Sequence, residues 1–222
     1  VMTARSLLAG TTDLVLVMNS DMPLLTTRTL QSLVQAQAEN RGPISMLTLL
    51  STDSRGFGRV VRDGRGMVQA IIEEAHATPE QLAIRELNAG VYCFRAEWLW
   101  QALERIPLSP KGEYYLTDAF QLMIEDGAHF VAEPVAAWED CGTPGTVLQT
   151  NRYMLDNGRH HVGPSEGSVI IPPVYIDDTA QISNSIIGPY ASIAAGAVIR
   201  DSIVRDSIIN QNAIITTAAI QN

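Results

Sequence analysis

Two carboxylates in this chain occupy places suited to phosphate chemistry. Asp21 follows the apolar run Leu14-Val15-Leu16-Val17-Met18 and precedes Met22-Pro23. In an open α/β sheet, ligands bind beyond the carboxyl ends of the strands. A carboxylate there can hold Mg²⁺ against the oxygens of a nucleotide or sugar phosphate. An aspartate also serves simply to form the turn before Pro23, and on spacing alone that role has the stronger claim. Asp140 stands between Val135-Ala136-Ala137-Trp138-Glu139 and Cys141-Gly142-Thr143-Pro144, in an exposed strand-to-helix loop. Helix capping is its simpler role.

The elements that would carry these residues alternate in character. The run ending at Met18 suits a strand buried on both faces of a parallel sheet. Thr26 or Thr27 can cap a helix whose Leu30, Leu33, Val34 and Ala38 keep helical spacing. Ile44 to Leu50 reads as a second strand. Gly56-Phe57-Gly58 marks a tight backbone feature before Arg59-Val60-Val61-Arg62, and Asp63-Gly64 signals a hairpin returning through Met67 to Glu73. Leu87 to Phe94 is expected as a strand and Glu97 to Arg105 as a helix. Over Glu113 to Glu125, Leu116, Phe120, Met123 and Ile124 share one helical face. His129 to Val135 reads as a short strand and Gly145 to Leu155 as a final helix. Strands alternating with helices predict an α/β domain over residues 1–157.

After Asn157-Gly158 the pattern changes, and residues 158–167 are expected as a linker. From Ser168 to 222 the chain repeats at a step of 17 residues. Ser168, Ser185 and Ser202 align, followed by Val169, Ile186 and Ile203, then Ile170, Ile187 and Val204. Ile220 extends the series of Val169 at the same step. Val174 aligns with Ala191, Ile176 with Ile193, Ala180 with Ala197 and Ile182 with Ile199. Small or aliphatic residues recur at six-residue spacing at Val174, Ala180 and Ile186, then at Ala191, Ala197 and Ile203. This predicts a solenoid with three short strands per turn and these residues stacked inward.

Composition narrows the function classes. Lys+Arg 15 against Asp+Glu 24 gives a net charge of -9, which argues against nucleic-acid binding through a general basic surface. Cys93 and Cys141 are too few for a disulfide scaffold, so a reduced, cytoplasmic protein is expected. No apolar run approaches the roughly 20 residues that cross a bilayer, and no signal peptide opens the chain. Position 1 is Val rather than Met.

Five segments carry a resemblance. They are Asp21-Met22-Pro23-Leu24-Leu25, Gly56-Phe57-Gly58-Arg59-Val60-Val61-Arg62, Ile72-Glu73-Glu74-Ala75-His76-Ala77-Thr78, Glu86-Leu87-Asn88-Ala89-Gly90-Val91-Tyr92 and Gly112-Glu113-Tyr114-Tyr115-Leu116-Thr117-Asp118. In order and spacing the chain resembles the sugar-nucleotide pyrophosphorylases, nucleotidyltransferases that act on sugar 1-phosphates. Within them it is most similar to the N-acetylglucosamine-1-phosphate uridylyltransferases. Trp138 to Pro144 is nearer to the thymidylyl- and glucose-1-phosphate branches. The resemblance implies a Rossmann-like mixed-sheet α/β domain, incomplete at its N-terminus, followed by a left-handed parallel β-helix of hexapeptide-type coils. It implies Asp21 and Asp140 as the catalytic Mg²⁺ ligands. Gly58 would present its backbone N–H to a sugar hydroxyl, where the lack of a side chain allows close approach. Glu73 would accept bonds from sugar hydroxyls, Asn88 would offer donor and acceptor together, and Thr117 would line the sugar site with Tyr115. Hairpin glycine, solvated strand-end carboxylate, turn asparagine and helix-start threonine are the corresponding roles without a ligand.

The implied reaction joins a nucleoside triphosphate to a hexose or N-acetylhexosamine 1-phosphate and releases pyrophosphate. Sugar phosphate and triphosphate are the expected partners, with assembly of copies through the β-helix and no contact with nucleic acid or membrane. Positioning and charge neutralisation carry such transfers, so the cysteines and histidines are expected to be non-catalytic and His160-His161 to be a solvated linker pair. Three departures stand out. Residues 1–20 hold no Gly-rich loop with Arg and Lys, position 20 is Ser in place of the family's Gly, and position 75 is Ala in place of its Lys. They lead to the expectation that the 222-residue chain alone is inactive. They also keep open a non-catalytic scaffold of the same fold. A β-helix acyltransferase is disfavoured, since residues 168–222 contain no histidine.

Overall fold

A computed structural model describes residues 1–51, 56–109, 112–128, 130–135 and 141–221. The chain divides into two compact units, Val1–Trp138 and Glu139–Asn222.

The first unit is built on one mixed sheet. After the short helix α1 (Arg5–Leu8) come β1 (Leu14–Val17), α2 (Thr27–Glu39), β2 (Ile44–Leu50), β3 (Arg59–Arg62) and β4 (Val68–Ile72). Then follow α3 (Pro79–Leu82), β5 (Glu86–Arg95), α4 (Ala96–Arg105), α5 (Leu116–Glu125) and β6 (Phe130–Val135). The strand order is β4-β3-β5-β2-β6, with β1 also on β5. β2 runs antiparallel to β5 and parallel to β6. The other edge of β5 is shared, since β3 meets it at Leu87 and β1 meets it from Tyr92 to Arg95. Asn88 to Val91 therefore lie at a seam between two partner strands.

This arrangement corrects the expectation for Leu14–Met18. The strand is not buried on both faces of a parallel sheet. It ends at Val17, pairs antiparallel with β5, and buries Val15 while leaving Leu16 38% exposed. An unbroken apolar run does not record which of its side chains face solvent. The side chains of β5 alternate between two cores, as a pleated strand requires. Ala89, Val91 and Cys93 pack with Leu33 of α2 and Met22, while Tyr92 and Phe94 pack with Leu99 and Phe120 of α4 and α5. The ring centroids of Tyr92 and Phe120 lie 4.8 Å apart.

Side-chain capping accounts for the starts of α2 and α3. The Thr26 side chain accepts from the Thr29 N–H, and the Thr78-Pro79-Glu80-Gln81 stretch closes a reciprocal capping box on α3. The helix expected from Glu113 begins at Leu116, because the Glu113 carbonyl accepts from the Ser109 N–H and Tyr115 is extended (ψ 124°).

The second unit begins with α6 (Pro144–Met154), capped by a Thr143–Thr146 box, and a wide turn over Leu155–Arg159. The coils comprise β7 (Ser165–Glu166), β8 (Val169–Ile170), β9 (Val174–Ile176), β10 (Gln181–Ser183), β11 (Ile186–Ile187) and β12 (Ala191–Ile193). They continue through β13 (Val198–Arg200), β14 (Ile203–Arg205), β15 (Ser207–Ile209), β16 (Ile214–Thr216) and β17 (Ala219–Gln221). Three parallel sheets result, β7-β10-β13-β16, β8-β11-β14-β17 and β9-β12-β15. Backbone pairing starts before Ser165: the His161 N–H donates to Val174 O at 2.9 Å and the Gly163 N–H to Ile176 O at 3.0 Å. His160 and His161 are thus part of the first coil, with His160 Nδ1 2.8 Å from Val174 O and His161 Nε2 3.0 Å from Asp178 Oδ1.

The 17-residue step holds for Val174 with Ala191, Ile182 with Ile199 and Ile186 with Ile203. Two details differ from the sequence expectation. Ile220 pairs with Val204 rather than continuing the Val169 series, because the last step is 16 residues, as in Ala191 with Ser207. The corner Gly188-Pro189-Tyr190 is answered one coil on by Arg205-Asp206, one residue shorter. Likewise, the third inward series is Ile187 and Val204, both fully buried, while Val169 is 58% and Ile203 38% exposed. In the doublets Val169-Ile170, Ile186-Ile187 and Ile203-Val204 both residues are aliphatic, so hydropathy alone cannot say which one faces inward.

Candidate functional site

At the seam along β5, backbone geometry does the first part of the positioning. Gly90 has φ +72°, and a β-carbon there would lie 3.2 Å from Met22 Cε and 3.7 Å from Asn19 Nδ2. The loop after β1 can therefore close onto β5, and it brings exposed Asp21 to this side of the sheet. Gly58 is buried and accepts from the Asn88 N–H at 2.8 Å. A β-carbon on Gly58 would press on Ile71 Cγ2 at 3.2 Å and touch Asn88 Cβ at 3.6 Å.

The polar side chains are tied to one another. Asn88 Nδ2 lies 2.7 Å from the Tyr92 hydroxyl oxygen, which lies 2.9 Å from Asn88 Oδ1. The same Oδ1 accepts from the Gly90 N–H at 3.1 Å. Tyr92 is 5% exposed, and burial, opposed by the Asn88 bond and reinforced by the negative charge of Glu73, pushes its phenol well above the ordinary range. Glu73 ends the hairpin after β4, and its Oε1 accepts from Thr117 Oγ1 of α5 at 3.0 Å. Tyr115, just before α5, is also raised, by its bond to Glu113 and to a lesser degree by Glu73.

Gly58, Glu73, Asn88 and Thr117 are thus brought to one place, with Asp21 on the neighbouring loop. Asp140 lies outside the described residues. Among the described residues no three acidic, histidine or cysteine side chains gather as a metal cluster. The donor class at Asp21 nonetheless suits Mg²⁺, which takes one or two carboxylates alongside phosphate oxygens and water. The Cys93 thiol is buried and pushed up to about 11, so it is not a thiolate nucleophile at neutral pH. Ala75 falls in the exposed turn Glu74–His76.

Three residues around the site escaped the sequence reading, namely Tyr92, Arg59 and Glu74. Tyr92 had a signal, because residues four apart in a strand share a face. Arg59 had none, since its place in Arg-Val-Val-Arg does not distinguish a surface cation from one that is 2% exposed. Among the described residues no helix is long and apolar enough to cross a membrane.

Comparison with known proteins bears on this arrangement. The family model described as nucleotidyl transferase matches residues 1–157. The bifunctional protein GlmU of Solibacter usitatus (strain Ellin6076) is 36% identical over 200 residues, which is 87% of this chain and 43% of that protein. The bifunctional protein GlmU of Exiguobacterium sibiricum is 31% identical over 224 residues, 92% of this chain and 50% of that protein. The chain thus spans about half the length of the curated relatives it matches. A Bacillus anthracis protein described as a glucose-1-phosphate thymidylyltransferase, solved with sucrose, superposes with a TM-score of 0.56 at 16% identity. That match covers 68% of this chain and 57% of the other and shows a shared fold.

Proposed function

Because the chain belongs to the nucleotidyl transferase family, we propose that its α/β unit binds a hexose or N-acetylhexosamine 1-phosphate for attack on the α-phosphorus of a nucleoside triphosphate. The products are a nucleoside diphosphate sugar and pyrophosphate. The observation that carries this reading is the convergence of Gly58, Asn88, Glu73 and Thr117 from four elements at the β5 seam. Glu73 keeps one oxygen beyond its Thr117 bond and can accept from a sugar hydroxyl. Asn88, held by Tyr92, offers its amide to a hydroxyl or an N-acetyl group. Gly58 can offer its backbone N–H, and its missing side chain makes room for Ile71 and Asn88 to pack against this loop.

The reaction needs no covalent enzyme intermediate, so the residues of this chain bind and orient. Asp21 would be one ligand of Mg²⁺, which when bound neutralises phosphate charge; the resemblance in sequence implies Asp140 as the second. The reading places the reaction in the cytoplasm, where triphosphates are held, and includes assembly of copies through the coils, testable by sedimentation.

A second reading is favoured by position 75, where a neutral Ala stands in an exposed turn. In that case the same site holds sugar phosphate without transferring it. One assay separates the two. The protein is mixed with Mg²⁺, glucose 1-phosphate or N-acetylglucosamine 1-phosphate, and each nucleoside triphosphate. Pyrophosphate release supports transfer. Sugar phosphate binding without release supports the second reading, and absence of both overturns the site.

A further inference from the structure

We infer that the buried Arg59 and the partly exposed Glu74 form a clamp that positions the two sugar-binding segments, Gly58 and Glu73, relative to each other. The inference rests on the reading of that site as a sugar phosphate site. Gly58 and Glu73 are each followed immediately in sequence by one member of the clamp. The Arg59 side chain is only 3% exposed. Its guanidinium bonds the Phe57 carbonyl, and both terminal nitrogens lie 3.1 Å from Glu74 Oε2. That same carboxylate oxygen accepts from the Gly56 N–H at 2.8 Å. Two residues 15 apart in sequence thus hold Gly56 and Phe57, which lead into Gly58, against the turn that carries Glu73.

The loop needs such a restraint. Gly56 has φ +82° and open space around its missing side chain, so nothing local fixes it. The Glu73-Glu74 segment leaves the hairpin at Ile72, where regular pairing with Arg59 ends. A hairpin could be held by its apolar contacts alone, and Val60, Val68 and Ile71 already supply these. Burying a cation is costly unless it is paired and fully bonded. What the planar guanidinium adds is a fork that grips a carbonyl and a carboxylate at once, a geometry that a lysine ammonium does not reproduce. Arg59 and Glu74 are therefore positioning residues, acting on sugar through Gly58 and Glu73.

The test uses calorimetric titration with N-acetylglucosamine 1-phosphate and glucose 1-phosphate, together with amide exchange at Gly56. Arg59→Lys and Glu74→Gln are expected to weaken sugar phosphate affinity about tenfold, the scale of a small misplacement of binding groups. Both should also speed exchange of the Gly56 amide. The double variant R59M/E74M removes both charges and should melt higher than E74M alone, which takes the carboxylate away from the buried Arg59 guanidinium, yet its affinity should stay low. Affinity that recovers together with melting temperature would reduce the pair to a structural role and overturn the clamp. Unchanged affinity in Arg59→Lys and Glu74→Gln, beside a wild type that binds, overturns the clamp alone. A wild type that binds neither sugar phosphate overturns the sugar site itself.

Discussion

In the coils, Val174 lies beside Ala191, Ile176 beside Ile193 and Ile182 beside Ile199, so each buried side chain is supported by its counterpart one turn away. In the α/β unit nothing repeats. Asn88 depends on Tyr92, Glu73 on Thr117, and Gly58 on a strand that reaches it from a distance in sequence. Stability in the coils is a sum of nearest-neighbour terms, whereas the site is a set of single contacts with no spare copy. Damage to a coil should therefore spread only to adjacent coils and leave ligand binding intact. Damage at the seam should do the reverse.

The strongest challenge to that contrast is Gly188→Ala. Position 188 has φ +98°, and a β-carbon there would lie 2.0 Å from the Ile171 carbonyl oxygen and 2.6 Å from Val174 Cγ1. The expected cost is about 5 kcal/mol, combining backbone strain with a clash that only backbone movement relieves. Hydrogen exchange should show loss of protection in the coils around Ile171 and Gly188, with the sheet of the α/β unit unchanged. Loss of protection at β5 would break the comparison.

Next in size is Phe120→Ala. Its ring is fully buried between Tyr92 and Phe94, with centroids 4.8 and 5.8 Å away. Truncation should cost about 4 kcal/mol. Because Tyr92 holds Asn88, sugar phosphate affinity should fall as well, unlike in the coil variant. Chemical denaturation and titration on one preparation test both parts.

Glu73→Gln sharpens the contrast from the other side. The amide keeps the size of the side chain and an acceptor for Thr117 but loses the charge. Sugar phosphate affinity is expected to drop about tenfold, roughly 1.4 kcal/mol, with the melting temperature little changed. A fall in melting temperature with affinity intact would make Glu73 structural.

The two regions also differed in how openly the sequence displayed them. The 17-residue step was readable because several aliphatic columns kept one period, and it failed only where the Arg205-Asp206 corner is one residue shorter than Gly188-Pro189-Tyr190. The inward choice within Ile186-Ile187 was hidden because both residues are aliphatic. In the first unit, Thr26, the Asp63-Gly64 turn and β2 at Ile44–Leu50 were legible from capping and hairpin chemistry. The edge placement of β1 was not, since Leu-Val-Leu-Val carries no alternation. Site residues Gly58, Glu73, Asn88 and Thr117 came from resemblance, and the contacts that join them pair Gly58 with Asn88 and Glu73 with Thr117 across long stretches of sequence, the second over 44 residues. No periodicity encodes such contacts. Arg59 was hidden for the same reason, because a buried cation and a surface cation are spelled alike.

The smallest expected effect compares one ion pair from each region. Burial by itself would raise the Glu86 carboxyl, but bonds from the Arg62 guanidinium at 2.5 and 2.7 Å and its charge hold it below the ordinary carboxylate value. In the coil unit, Asp206 is lowered in the same direction by its bonds to Arg152. A carboxyl lowered in the folded state stabilises above its unfolded value, near 4.3 for Glu, and that contribution disappears as pH falls through the folded value. The Glu86 side chain is 17% exposed and that of Arg62 31%, so solvent screening limits the pair to about 1 kcal/mol at neutral pH. Urea unfolding of wild type and Glu86→Gln should therefore differ at pH 7, and the difference should shrink as pH falls below the ordinary Glu value. Arg152 is 45% exposed, and the stability difference produced by Asp206→Asn should also shrink in about 1 M salt, where the Debye length falls to about 3 Å. The Glu86 difference should survive that salt better, because its pair is more enclosed. Equal salt sensitivity in both variants would show that the site-bearing sheet shields its ion pair no better than the coil surface does.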